Sequence, residues 1–536
     1  MRSAETLADR VALAVLAGFA LVALATFRDY GLGWDDYTHS QYGDLLLALY
    51  DSGFNDTRAF DFVNLYMYGG GFDMAAALAA KALPFTLFET RRLAGALVGL
   101  AGFVLVWRTG RRIGGPIAGL AALVFLLLTP HYYGHVFINA KDAPFAVATL
   151  ALLYAFARAL DEFPRPGWRT VAIFGVALGL AFGTRILAVV SAIPFVVAVA
   201  FLFASEARRE KATSAWRDVW QFFLRLLPAL PLGIVIMGLL WPWSMLSPFN
   251  VFKSIDYFRH FFEKPWDELY GGKLISVPDM PASYVPWMFT IKLPEALLLF
   301  ALAGAALALC RIASASFARE ARAKLLVVLL AAVLPVAIAV ITRPAGYNGI
   351  RHFLFAVPPM ALLASLAAAR LIDWARDQAR YVPIAVALVF VVAVIDPLIA
   401  MIRLHPFQYT FYNQLVGGVG GARGNYMVDY WGLSLKQASD SLLARLAAAR
   451  ETPPRGRPWK VAVCGPHPTA RVALGDGYEL TWDPKGADFA LSLGEFYCAK
   501  LDAPAIATVE RAGVTYARVY DLRDRDVRNL LAQPPP

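Results

Sequence analysis

Residues 11–27 read VALAVLAGFALVALATF, and past Arg28 the chain runs into Gly33-Trp34-Asp35-Asp36-Tyr37-Thr38-His39. The apolar run approaches the ~20 residues with which a helix crosses the hydrocarbon core of a bilayer. Arg2 and Arg10 precede it. Ala23-Leu24-Ala25 resembles a leader cleavage site but lies inside the run, so the segment reads as a retained anchor. Two adjacent carboxylates at the mouth of a span are costly near lipid and ask for a reason. One reason is local, with Asp35 or Asp36 capping a short helix; the other is chemistry.

The rest of the chain repeats this alternation. With 58% hydrophobic and 17% charged residues and a mean hydropathy of +0.53, the composition excludes an ordinary soluble globular protein. Further apolar runs fall near 93–106, 116–129, 143–160, 171–183, 186–204, 222–240, 295–309, a ninth ending at 341, 353–369 and 381–401. The net charge of +10 resides in short clusters between spans, such as Arg108, Arg111 and Arg112, or Arg311, Arg319, Arg322 and Lys324. That is the pattern of loops retained on the cytoplasmic side, not of a nucleic-acid surface. It predicts a polytopic α-helical membrane protein with about eleven transmembrane helices, the N-terminus inside and the C-terminus outside. Arg91 and Arg92 break the pattern at the outer end of the second span.

Two loops on the outer face are long, 28–90 and 241–294. From Arg28 to Phe85 the first holds eight aspartates against three basic residues. It also contains amphipathic pieces suited to helices at the membrane surface. Residues 1–401 form the membrane domain. Beyond 401 the hydropathy drops, and a helical stretch is followed by short strand patterns at Lys460-Val461-Ala462-Val463-Cys464, 488–493 and 514–520. Residues 402–536 therefore read as a small α/β domain outside the membrane. Cys464 and Cys498 both fall there, as a disulfide or as two buried thiols. No CxxC, HExxH or Walker loop occurs, and Gly69-Gly70-Gly71 lacks a following Lys-Ser/Thr.

The chemistry-bearing residues gather on the outer face. Asp35, Asp36, Lys141, Asp142, Arg185, Arg259, His260, Tyr347, Arg351 and His352 all lie in its loops or at its span ends. A carboxylate accepts the proton of an attacking hydroxyl, and arginine or lysine neutralises a departing phosphate. For Lys141 beside Asp142, an ion pair within the loop is the plainer alternative.

The acidic pair in the first outer loop, Asn139-Ala140-Lys141-Asp142-Ala143-Pro144-Phe145 and the basic residue of Gly183-Thr184-Arg185 together resemble the GT-C glycosyltransferases. The branch most similar holds the protein O-mannosyltransferases and the lipid A aminoarabinose transferase (glycosyltransferase family 39). Lys292-Leu293-Pro294, Tyr347-Asn348-Gly349-Ile350-Arg351-His352, and Asp429-Tyr430-Trp431-Gly432 add to the likeness, which spans roughly residues 1–435. It implies that Asp35, Asp36 and Asp142 are catalytic and that Arg185, Arg351 and Lys141 bind the donor phosphate. Arg259, His260, Tyr347 and His352 would then contact substrate. This chain has Asp-Asp where that family more often has Asp-Glu, which leaves open whether Asp35 or Asp36 faces the acceptor. The implied reaction is inverting transfer of a sugar from a polyprenyl phosphate to a cell-envelope lipid, glycan or protein, at the periplasmic face of a bacterial inner membrane. It implies no cofactor, although three carboxylates leave a divalent cation open.

The rival reading is a transporter or lipid-linked sugar flippase, because charges in membrane helices also mark transport paths. Against it, no internal repeat is evident and the charges sit at one face. A non-catalytic lipid-carrier or assembly factor is a third reading.

Overall fold

In lipid every backbone N–H and C=O must be satisfied within its own segment, so the apolar runs fold as helices. The computed structural model of the chain describes residues 2–209, 212–259 and 266–532. The helices in order are α1 (Arg2–Thr26), α2 (Asp36–Asp51), α3 (Gly71–Ala80), α4 (Leu87–Leu127), α5 (Pro130–Ile138), α6 (Asp142–Asp161) and α7 (Trp168–Phe182). They continue with α8 (Ala192–Arg209), α9 (Ala212–Leu226), α10 (Ala229–Leu240), α11 (Asn250–Arg259), α12 (Tyr284–Lys292), α13 (Glu295–Ala313) and α14 (Arg319–Thr342). Last come α15 (Val357–Arg376), α16 (Tyr381–Leu404), α17 (Gly418–Ala422), α18 (Ser434–Ala449) and α19 (His467–Leu474). Among the described residues, nine helical stretches are long and apolar enough to cross a membrane.

One of the nine is double. α4 is 41 residues long, about twice what a bilayer needs. At Gly115 the backbone takes φ 85°, and Pro116 follows. Beyond this break Gly119 lies against Trp107 and Arg111, whereas twelve residues of straight helix would separate Gly119 from Trp107 by ~18 Å. The helix therefore doubles back as two antiparallel arms. Glycine tolerates the left-handed backbone at the reversal, and proline suits the start of the second arm. α7 has 15 residues and packs along α10, with Gly175 against Ala229 and Gly179 against Ile236. Nine stretches, one of them double, plus α7 give the eleven apolar passes expected.

Ion pairs mark the two ends of the bundle. One end holds Asp9 with Arg111, Asp161 with Arg112 and Lys324, and Glu206 with Arg319. Asp35, Asp142, Arg185 and Arg351 lie at the opposite ends of the same helices. α6 and α15 are the inner helices, with 78% and 72% of their apolar windows buried, against 11% for α16.

The two arginines that broke the charge alternation are not free loop cations. Arg92 donates to both oxygens of Asp36 at 2.9 and 2.5 Å. Arg91 donates to Asp73 at 2.6 Å. All four residues are buried, so their charges cancel in pairs rather than count toward topology.

The second long loop forms a hairpin of β1 (Asp267–Tyr270) and β2 (Lys273–Ser276), turned at Gly271 and Gly272 with φ 60° and 75°. Positive φ at both central residues matches the twist that flanking strands need. Residues 405–433 pack onto α5, where His131 Nδ1 donates to the Tyr409 carbonyl at 2.7 Å. The α/β unit follows with β3 (Trp459–Cys464), β4 (Tyr478–Thr481), β5 (Phe489–Leu493), β6 (Ala505–Arg511) and β7 (Val514–Asp521). Its sheet runs β4-β3-β5-β7-β6. β3 is parallel to both β4 and β5, whereas β7 pairs antiparallel with β5 and β6. Cys464 and Cys498 form a disulfide.

Candidate active site

The chain leaves α1 and turns sharply before α2. Asp36 Oδ2 closes that turn by accepting from the Gly33 amide at 2.7 Å. With both oxygens also held by Arg92, Asp36 has little acceptor capacity left. Asp35 occupies the cap position of α2, yet its side chain makes no capping bond. It points instead into a cavity of about 630 Å³, and its side chain is 48% open. The adjacent carboxylates are thus divided, one woven into the fold and one presented to the cavity.

Asp35 Oδ2 accepts from Arg351 at 3.2 Å. The Arg351 guanidinium lies 4.9 Å from the ring centre of Tyr347 and 5.2 Å from that of Trp431. Asp142 begins α6, where Asn139 Oδ1 accepts from its amide at 2.7 Å and Asn139 Nδ2 donates to its carboxylate at 2.9 Å. Arg185 reaches Asp142 Oδ1 at 2.7 Å. The partner of Asp142 is therefore Arg185, from another loop, not the neighbouring Lys141. Lys141 Nζ instead sits 4.0 Å above the ring of Tyr68. Burial would raise the Asp35 carboxyl, but Arg351, Lys141 and His39 together hold it below the usual aspartate range. Burial, reinforced by Arg185, pushes the Lys141 amine down to about 8.

Asp35, Asp36, Lys141, Asp142, Arg185, Tyr347, Arg351 and His352 all line this one cavity. His260 and the side chain of Arg259 lie outside the described residues. Sequence reasoning assigned no role to four further wall residues, His39, Tyr68, Asn139 and Trp431. His39 is one helical turn past Asp35, and its Nδ1 meets Asp73 Oδ2 at 2.7 Å. That spacing was a signal available from the sequence. Trp431 stood in Asp429-Tyr430-Trp431-Gly432 without a role, and for Tyr68 there was no signal beyond aromaticity.

The opposite wall is apolar. Val189 and Val190 follow Arg185, Ile255 comes from α11, and Ile338 and Ala339 come from α14. Buried Nε atoms of both Arg185 and Arg351 have no hydrogen-bond partner among the described residues. Unmet donors on two cationic side chains suit an anion with several oxygens. Each of the three carboxylates faces an arginine, and the described residues contain no group of three His, Cys, Asp or Glu able to hold a metal.

Residues 76–234 match the family model described as dolichyl-phosphate-mannose-protein mannosyltransferase. The match includes Asp142 and Arg185 but neither Asp35 nor Arg351. No curated protein matches the sequence. Among solved structures, ArnT from Cupriavidus metallidurans bound to undecaprenyl phosphate is 17% identical with a TM-score of 0.50, over 96% of this chain and 97% of that one. This chain has the GT-C fold. Archaeal oligosaccharyltransferase AglB from Archaeoglobus fulgidus, in complex with an inhibitory peptide and a dolichol-phosphate, is 12% identical with a TM-score of 0.49, over 90% and 69%. Arabinofuranosyltransferase AftD from Mycobacteria is 13% identical with a TM-score of 0.44, over 96% and 41%. Within the GT-C fold of this chain, the cavity lies at the end where the loop between α1 and α2, the loop before α15 and residue 431 meet.

Proposed function

We propose that the chain transfers a sugar from a polyprenyl-phosphate donor to a hydroxyl or amine of a cell-envelope acceptor, with inversion. The observation carrying this reading is one cavity with a carboxylate open at its polar end, two arginines with unmet donors beside it, and an apolar wall opposite. The likeness to ArnT, whose structure holds undecaprenyl phosphate, supports the donor class.

Asp35 takes the proton of the acceptor as its oxygen or nitrogen bonds to the anomeric carbon. The bond from that carbon to the phosphate oxygen breaks, and the electron pair leaves with the polyprenyl phosphate. Arg185 and Arg351 neutralise the charge gained by that phosphate, with Lys141 adding to the field while protonated. Asp142 holds Arg185 in place, and the apolar wall takes the first isoprene units. The Cys464–Cys498 disulfide supports an oxidising compartment for the α/β unit, and with it the reading of a site at the periplasmic face of a bacterial inner membrane.

The test compares Asp35→Asn with the unaltered protein, measuring the envelope product by the mass it adds. Loss of a general base is expected to lower transfer by about 10²–10⁴-fold while binding of undecaprenyl phosphate is retained. Full transfer by Asp35→Asn would strike Asp35 as the general base, and product that also persists without the protein would reject the enzyme assignment and favour transport.

A further inference from the structure

The α/β unit has its own crevice, and the catalytic loop occupies it. In parallel sheets ligands collect beyond the carboxyl ends of strands where the strand order switches direction. Here β3 connects through α19 to β4 on one side, while β5 lies on the other. The switch therefore falls between the ends of β3 and β5. Residues 465–469 and 494–498 form the two lips of this crevice.

What fills it is the chain itself. Thr469, fully buried, donates its hydroxyl to the Leu32 carbonyl at 2.8 Å. On the other lip, the Tyr497 hydroxyl lies near the indole of Trp34. Gly33 is flush against the ring of Trp431 and Gly31 against the Leu433 backbone. Glu495 Oε1 accepts from the amides of Val428 and Asp429 at 3.0 and 2.5 Å, which fixes the strand of chain that carries Trp431 over Arg351. Leu32 and Trp34 flank Gly33, and Asp35 is the next residue. The disulfide joins Cys464 at the end of β3 to Cys498 beyond β5, so it ties one lip to the other.

We propose that Thr469 and Tyr497 are positioning residues that hold the Asp35 loop in register with Arg351, and that the Cys464–Cys498 bridge keeps the two lips closed on that loop. This rests on the role given to Asp35 above. The outer domain then contributes geometry to catalysis and need not touch the substrate.

The experiment uses the full chain in lipid nanodiscs. Thr469→Val, Tyr497→Phe and the double variant Cys464→Ser/Cys498→Ser are compared with the unaltered protein and Thr469→Ser. Hydrogen exchange at residues 31–36 is read alongside undecaprenyl phosphate binding, the global unfolding temperature and the amount of envelope product. A lost buried hydrogen bond of ordinary strength predicts at least about fivefold faster exchange in this segment and a similar fall in product. Binding of the probe lipid and the unfolding temperature stay unchanged, and Thr469→Ser restores both readouts. Should the cysteine variant fail to fold, Thr469→Val and Tyr497→Phe decide. Unchanged exchange at 31–36 overturns the proposal, and so does faster exchange with undiminished product. Activity surviving in Asp35→Asn would instead strike the assignment of Asp35, leaving the exchange result to stand by itself.

Discussion

Asp36 and Asp35 are adjacent in sequence, and replacing them should have opposite consequences. The Asp36 side chain is 3% exposed, as is that of Arg92, and three hydrogen bonds converge on its two oxygens. Asp36→Ala leaves the Arg92 guanidinium buried with only the Gly31 carbonyl at 2.6 Å and that of Phe137 at 3.5 Å. Breaking one side of a buried pair costs about 3–5 kcal/mol, roughly a hundredfold or more in the folded-to-unfolded ratio. Asp35, by contrast, is half open and makes a single contact at 3.2 Å. Its replacement by asparagine should change stability by less than about 1 kcal/mol. Removing both members of the buried pair, as Asp36→Ala/Arg92→Met, should be milder than the sum of the single changes, since no orphan charge remains. The assay is denaturant-induced unfolding in detergent micelles followed by tryptophan fluorescence. The division of labour is refuted if Asp36→Ala unfolds with the unaltered protein while Asp35→Asn collapses, or if the double variant shows the full sum of losses.

Two further outcomes follow from the cavity walls. Lys141 titrates at about 8, so its positive charge is present below that pH and lost above it. Affinity for undecaprenyl phosphate should therefore weaken between about pH 7 and pH 9, and Lys141→Arg, which stays charged, should flatten the profile; a flat profile in the unaltered protein argues against phosphate contact by Lys141. Gly69 donates its amide to the Thr184 carbonyl at 3.3 Å, and a Cβ there would collide with the Gly183 backbone. Gly69→Ala should displace the turn that carries Arg185 and weaken undecaprenyl phosphate binding toward the level of Arg185→Ala; unaltered binding in calorimetric titration would show that the turn does not set the position of Arg185.

The membrane architecture was legible because lipid imposes a length on every span and basic clusters punctuate the apolar runs. The α4 reversal was legible for a related reason, since Arg108, Arg111 and Arg112 separate the apolar runs 93–106 and 116–129. Asp35, Asp142, Arg185 and Arg351 could be nominated because charged residues at span ends are expensive and few. Their partners could not. Nothing local distinguishes Asp35 from Asp36, or Arg92 from a loop cation, because the difference lies in what stands opposite after folding. Trp431 reaches the cavity from some four hundred residues beyond Asp35, and its sequence surroundings do not say where it goes. The paired lips around Leu32 were equally hidden, as they depend on strand order, which periodicity does not encode.

The slight packing of α16 has a bearing on how the chain tolerates change. With 11% of its apolar window covered by protein, this helix contributes reach more than cohesion. Pro397, Met401 and Leu404 are its buried positions, and Phe390 stacks on Phe300 of α13; at its exposed positions one aliphatic residue serves acyl chains about as well as another. Drift in composition at the exposed positions of 381–396 should pass almost unnoticed, while an inserted or deleted turn would shift the anchorage of everything after it by ~5 Å.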